Sequence, residues 1–419
     1  MTLLAEIFWF IVTFSILVVL HEGGHFLVAR AFGVHVHEFM IGLPGPALRF
    51  HGKKTDYGVT AVPLGGYVRI SGMEPGPEDE RLGTVLAYVT RRGRVLADEV
   101  ARDLGIDLDD VDMLLATLVD WNAIGAVPDT DDTFEAKHPA ELAEDPAALL
   151  DLARSTTYRG LSPFKRILVL AAGVVVNLVS AILVFVLVLT LVGLPVATLT
   201  VGQLVPKGGA AAAGVKVGET ITAVNGKQIT EWTALVATIA THKPGDHIRV
   251  TLAKDGSSRI IDVTLGTDDG KHARIGIQGA SKNVPLSIPA AASMSFGLVG
   301  QVFAAIAGFF NPATFQKSVQ GSTGVIGIAV MANQEAQRGP IDFAFFIALL
   351  SLSLGAMNIL PIPPLDGGKV LLEIIEAVRR RPLSRQISIG VSLAGVALLV
   401  TLIGYLMYAD VIRFVVNRG

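Results

Sequence analysis

His21 and His25 stand four residues apart, and Glu22 directly follows the first. On a helix that spacing puts both imidazoles on one face, where they can reach a single zinc ion with the carboxylate beside it. Imidazole nitrogens suit zinc, and a catalytic site takes three protein ligands plus a water. The metal acidifies that water, and Glu22 can accept its proton. The plain alternative, two histidines marking where a helix leaves lipid, gives Glu22 no role. The intervening Gly23 and Gly24 each weaken an isolated helix by about 1 kcal/mol relative to Ala. In return they permit close approach of another helix or of a substrate.

A third ligand is required. His35, His37 and Glu38 are nearest, but His37 and Glu38 lie close to Gly42 and Pro44, where the helix has ended, and they suit the site poorly. A remote segment offers more. It begins at Asn358, runs through Pro361, Pro363 and Pro364, and closes on Leu365, Asp366, Gly367 and Gly368. The prolines end a helix at membrane depth and put Asp366 on an irregular turn. An acidic side chain there needs a cation, and zinc supplies one.

The elements that carry these residues belong in lipid. Of 419 residues 51% are apolar and 17% charged, mean hydropathy is +0.55, and an ordinary globular domain carries about 25% charge. Residues 3–20, 167–194, 343–360 and 387–408 are each apolar and near the roughly 20 residues that cross a bilayer. The first lacks a basic leader and a small-residue cleavage site, so it reads as a retained helix. Residues 290–310 are uncharged and long enough, but rich in Ala, Gly and Ser. Arg30, Lys53, Lys54, Arg159, Lys165, Arg166, Arg379, Arg380, Arg381 and Arg385 fall on one side if the four spans alternate and 290–310 does not cross. Basic loops mark the cytoplasm, so both termini are expected outside. The absence of cysteine excludes disulfide scaffolds, thiolate zinc sites and cysteine nucleophiles.

Two soluble segments interrupt the spans. Residues 74–158 hold about 20 Asp and Glu against about 7 Lys and Arg. They read as mostly helical, with helices over 97–106 and 108–121 that resemble the helix-turn-helix part of a winged-helix domain. The surplus negative charge repels phosphates, which excludes nucleic acid and favours a protein contact. In residues 195–279, strands are expected at 200–205, 221–224 and 247–252, with a helix over 232–241. Tight turns are expected at Asn225–Gly226 and Asp255–Gly256. This pattern resembles a PDZ domain of the bacterial protease type, with Gly218 and Glu219 where Gly-Asp is usual. A small β domain without peptide affinity is the bland alternative.

With both metal words found, the chain resembles the site-2 proteases, zinc intramembrane metalloproteases, in their PDZ-containing bacterial form. Pro63, Leu64, Gly65, Gly66 and Tyr67 resemble the family's strand loop after the first span. Phe164, Arg166, Gly173 and Asn177 fit its second span, although Val174 stands where Pro is common. The glycine-rich stretch 321–327 resembles the one preceding its third span. The resemblance implies zinc bound by His21, His25 and Asp366, with Glu22 as base. It also implies a bacterial inner-membrane location and transmembrane substrates such as anti-sigma factors or signal-peptide remnants. Asn358 would hold an unwound substrate strand, as would the alternating stretch 57–70, unless that is an ordinary surface hairpin. Asn177 is assigned to helix packing.

Parity bears on 290–310. His25 and Asp366 meet only if the first and third spans end on the same side, so 290–310 is expected to be interfacial or re-entrant. The expected fold is an α-helical polytopic membrane protein of about four transmembrane helices, with an inserted PDZ-like α+β domain and a cytoplasmic, mostly helical insert. The expected segments are 1–73, 74–163, 164–195, 196–282, 283–340 and 341–419. A non-catalytic membrane scaffold and a zinc transporter are the competing readings. The first leaves Glu22 unexplained, and the second calls for more polar residues within several spans.

Overall fold

The computed structural model describes residues 3–62, 65–74, 77–128, 130, 132–206, 208–267 and 271–412. The chain divides into two compact units, Met1–Phe185 with Ser295–Gly419, and Val186–Met294.

The first unit opens with α1 (Leu3–Ala31). The helix runs past the apolar stretch and carries the His21 to His25 segment within it. No proline interrupts it, and the chain turns at Gly33, whose φ of 81° suits a residue without Cβ. Next come β1 (Val36–Ile41), β2 (Ala47–His51), β3 (Asp56–Thr60) and β4 (Gly66–Ile70), in the order β2-β3-β1-β4. The alternating stretch 57–70 is therefore not a hairpin. Its halves belong to β3 and β4, and β1 lies between them, parallel to β3 and antiparallel to β4. Sequence missed β1 because its six residues, half-buried at most positions, show no clean alternation. β4 is left at a sheet edge.

The acidic insert follows as α2 (Leu82–Arg92), β5 (Arg94–Leu96), α3 (Ala97–Leu104), α4 (Leu108–Asp120), β6 (Ile124–Ala126), β7 (Thr133–Ala136) and α5 (Pro146–Ser155). Polar caps start α4 and α5: Asp107 accepts the Asp109 N–H, and Asp145 accepts those of Ala147 and Ala148. Helices make up most of the segment, and β5, β7 and β6 add a three-stranded sheet that the sequence did not announce. Strands of three and four residues are too short to display a period of two. The helix-strand-helix-helix-strand-strand order is that of a winged helix. Its core gathers Leu86, Val100, Leu115, Leu118 and Trp121.

After α6 (Pro163–Leu191), the second unit contains β8 (Leu194–Leu204), α7 (Gly209–Ala212), β9 (Thr220–Val224), β10 (Lys227–Gln228), α8 (Trp232–Ala240), β11 (His247–Lys254), β12 (Ser257–Thr264) and β13 (Ile277–Val284). The sheet runs β12-β11-β9-β8-β13, with β10 on β9. Both expected tight turns form. Asn225 and Gly226 take φ of 49° and 82°, and Asp255 and Gly256 take 50° and 78°, the left-handed pair a two-residue hairpin loop demands. Ile221, Val224, Ile248, Val250 and Leu252 fill the core beneath α8.

The remaining helices are α9 (Ile288–Ala307), α10 (Pro312–Gly321), α11 (Val325–Arg338), α12 (Pro340–Asn358), α13 (Asp366–Arg379) and α14 (Arg385–Asp410). In the first unit, Trp9 and Phe343 pair edge to face near the starts of α1 and α12, and His25, in the last third of α1, meets Asp366 just past the end of α12, so the two helices run parallel. α6 is antiparallel to α12: Phe185 pairs with Phe345, while Asn177 lies at Gly355. Five helices among the described residues are long and apolar enough to cross a membrane: Leu3–Ala31, Pro163–Leu191, Ile288–Phe310, Pro340–Asn358 and Arg385–Asp410.

Candidate metal centre

Three elements converge on the histidine pair. α1 holds His21 and His25 one turn apart, with ring centroids 5.0 Å from each other. α6 approaches closely because each helix presents a glycine at the crossing. A Cβ on Gly24 would lie 2.6 Å from the Ala172 carbonyl oxygen, and one on Gly173 would lie 2.8 Å from His21 Nδ1 and collide with His25 Nε2. The third element is the turn after α12. Hydrogen bonds from Ile362 N–H to Leu360 O and from Leu365 N–H to Ile362 O fold the proline segment back on itself. Asp366 thereby becomes the first residue of α13, buried beneath the turn.

Asp366 Oδ2 lies 3.0 Å from His21 Nε2 and 3.2 Å from His25 Nε2. Donor atoms of these three residues all fall within 4.8 Å of one another, and among the described residues no other His, Cys, Asp or Glu group converges in this way. Bonds of about 2.0–2.1 Å to a tetrahedral ion separate neighbouring ligands by about 3.3 Å, so the donor set fits zinc. Hydrogen bonds on the far side of each ring agree. His25 Nδ1 donates to the Val169 carbonyl at 2.8 Å, which leaves Nε2 with its lone pair toward Asp366. His21 Nδ1 faces Asn177 Nδ2 at 3.2 Å, while the buried Asn177 Oδ1 has no partner. Amide oxygen and nitrogen exchange freely in assignment. Turning the amide over lets Oδ1 accept the His21 Nδ1–H and frees Nε2 for a cation. Asn177, expected only to pack helices, is thus a second-layer partner of the site as well. Its packing role persists, since its backbone carbonyl accepts Ser351 Oγ at 3.1 Å. Residue type alone gave no signal, because the same Asn serves either purpose.

Glu22 is half-buried on α1, and a Cβ on Gly66 would lie 3.7 Å from its Cγ. The start of β4 therefore adjoins the carboxylate. Of the strand-loop residues, Gly66 occupies this approach, Gly65 turns the chain with φ of 85°, and Tyr67 donates its hydroxyl to Glu38 at 2.9 Å. Pro63 and Leu64 lie outside the described residues. Asn358, the last residue of α12, is 8% exposed, and its side chain has no hydrogen-bond partner among the described residues.

The nearby alternatives to Asp366 are engaged elsewhere. His37 Nε2 donates to the Asp120 carbonyl, and Glu38 accepts from Tyr67 and Arg49. Burial, with the neighbouring His37, pushes His35 down to about 4. Lys369, one turn beyond Asp366, places Nζ 3.4 Å from its Oδ1.

A helix-borne histidine pair, a carboxylate from a distant turn and a free glutamate define a metal-dependent peptidase set among apolar helices. Peptidase family M50 matches residues 9–402, and the chain belongs to that family, the site-2 proteases. A zinc metalloprotease RasP of Geobacillus kaustophilus is 30% identical across 98% of this chain and 99% of its own length. A putative zinc metalloprotease of Lactococcus lactis is 29% identical across 97% and 98%. The crystal structure of a PDZ domain from an SdrC-like protein of Listeria monocytogenes is 24% identical, covering 20% of this chain and 83% of that one with a TM-score of 0.17. Family and donor set agree: the chain is a zinc metalloendopeptidase, and Zn2+ is its cofactor.

Proposed function

We propose that the enzyme hydrolyses peptide bonds in or near the transmembrane helices of single-span proteins. The observation that carries this reading is the meeting of His21, His25 and Asp366 among helices apolar enough to lie in lipid. These three residues hold zinc, which when bound acidifies a water and polarises a carbonyl. Glu22 takes the proton of the attacking water and returns it to the departing amide nitrogen. A substrate helix must unwind first, because its carbonyls are occupied by its own hydrogen bonds, and each freed group costs several kcal/mol in lipid unless paired. The free edge of β4 and the unpartnered amide of Asn358 supply such partners; Pro63, Leu64, Gly65, Gly66 and Tyr67 complete the docking loop.

The parallel run of α1 and α12, with α6 antiparallel, supports four crossings, with Ile288–Phe310 returning to the side it left. The active site then lies near the cytoplasmic leaflet of a bacterial inner membrane. The acidic insert faces the cytoplasm and meets a protein partner, and the second unit, read as a PDZ-like domain, faces outward. Segments 1–73, 74–163, 164–195, 196–282, 283–340 and 341–419 remain the working division. The scaffold reading does not account for the converged ligand set beside Glu22.

The test is Glu22→Gln and Asp366→Ala enzyme offered a single-span substrate in proteoliposomes. Glu22→Gln is expected to lose at least about 100-fold in rate while retaining zinc. Asp366→Ala is expected to lose both metal and activity. Undiminished cleavage by the glutamine variant removes the proposed base, and stoichiometric zinc in the alanine variant removes the third ligand.

A further inference from the structure

The insert, whose Tyr158 N–H donates to the Ser71 carbonyl at 2.8 Å, also reaches the end of β4 through a buried carboxylate. Asp120, the last residue of α4, is 6% exposed. Its Oδ2 accepts the Gly72 N–H at 2.8 Å and its Oδ1 accepts Arg69 Nη2 at 3.4 Å. Its backbone carbonyl accepts Ser71 Oγ and His37 Nε2, each at 2.6 Å. One residue therefore grips the end of β4 and the turn after it, and also the adjoining β1. The turn is built for this contact. Gly72 has φ of 73°, and a Cβ there would sit 2.8 Å from Thr157 Cβ, so only glycine presents its N–H to the carboxylate.

The other end of β4 is at Glu22. A Cβ on Gly66 would be in van der Waals contact with Glu22 Cγ at 3.7 Å, and between Gly66 and Gly72 lies a single short strand with no neighbour on one side. Beside it opens a cavity of about 720 Å³ whose lining includes Val68, Arg69, Ile70, Asp120 and Lys369. The same cavity thus touches Asp120 and, at Lys369, the immediate partner of Asp366. An edge strand pairs well only when its backbone is held straight and in register, and here the insert holds its far end.

We propose that Asp120 is a positioning residue for substrate: it fixes β4 as a docking strand, and through it the insert governs how tightly substrate is held without touching the reacting atoms. The inference rests on the reading of β4 as the strand that pairs with substrate. An unfolded or displaced insert would loosen docking while leaving the metal centre intact, which gives a cytoplasmic module control over an intramembrane reaction.

The experiment uses full-length enzyme in proteoliposomes with a single-span substrate. Asp120→Ala removes both side-chain contacts and leaves the buried Gly72 N–H without its acceptor, so KM is expected to rise about fivefold or more with kcat within about twofold. Asp120→Asn, which still accepts the Gly72 N–H, is expected to restore most of the affinity. Because the chain has no cysteine, Val68→Cys paired with a cysteine in the substrate reports docking directly by disulfide trapping. Trapping is expected to fall in parallel with the rise in KM. Should the alanine variant lose the protease resistance of the insert, Asn and Arg69→Ala carry the same comparison, and a raised KM in Arg69→Ala is expected. Unchanged KM and trapping in a folded Asp120→Ala enzyme overturn the proposal, as does a fall in kcat alone. Failure of Val68→Cys to trap substrate in otherwise unaltered enzyme strikes the docking reading itself, and is distinguishable because it does not involve Asp120.

Discussion

A methyl group at position 173 has nowhere to go. Built on Gly173, it meets both imidazoles, and the backbone of α6 cannot retreat without opening its contact with Gly24. Overpacking of this kind costs about 1–3 kcal/mol, and here the strain falls on the two imidazoles proposed to hold zinc. Gly173→Ala is expected to lower zinc affinity and kcat/KM together by about 10–100-fold, the range for disturbing groups that orient metal ligands. Equilibrium dialysis followed by metal analysis measures the first, and substrate cleavage the second. Wild-type zinc affinity in the folded variant would show that the rings do not depend on this gap. The same logic explains why a small residue here is informative only once the partner helix is known. Gly173 looks no different in sequence from the glycines that face open space, such as Gly23.

Among the elements, β9 of the second unit carries a testable electrostatic tie at its start. Glu219 accepts Arg259 Nε at 2.8 Å and Nη2 at 2.9 Å, and also the Lys216 N–H at 2.7 Å. The Arg259 guanidinium, together with that N–H, holds the Glu219 carboxyl below its ordinary value of 4.5. A depressed folded-state pKa means the stabilisation is complete above the ordinary value and is lost as pH falls through the lowered one. Glu219→Gln is expected to unfold this unit at a lower temperature than wild type at pH 7, with the difference shrinking as the solution is acidified below 4.5. Calorimetry of the full chain at several pH values measures it. A difference that stays constant across that range would assign the effect to packing. Glu219, read as a mild departure from Gly-Asp, therefore keeps the acidic partner that Arg259 needs.

For the whole molecule, the proposed arrangement makes the acidic insert and the β-rich unit face opposite compartments. Single cysteines at exposed positions, Glu141→Cys in the insert and Lys227→Cys in the β10 turn, test it in an otherwise cysteine-free chain. In intact cells a membrane-impermeant thiol reagent is expected to label position 227 and spare 141; labelling of both contradicts the orientation. Local order carried much of this molecule into the sequence. Imidazoles at positions four apart mean one helix face, Asn-Gly and Asp-Gly mean tight hairpins, and long uncharged stretches mean lipid, because each depends on near neighbours in the chain. The nearness of Asp366 to the histidines was foreshadowed for the same reason, since an acid beside prolines at membrane depth is costly without a cation. Other features needed the folded chain. β1 inserts between two strands that sequence joined, the insert completes its sheet from three- and four-residue strands, Asn177 faces His21 as well as packing helices, and Asp120 reaches across to Gly72. Each of these depends on contacts between groups dozens to hundreds of residues apart, and such contacts are chosen by packing and hydrogen-bond satisfaction in three dimensions, which no local pattern of residue types encodes.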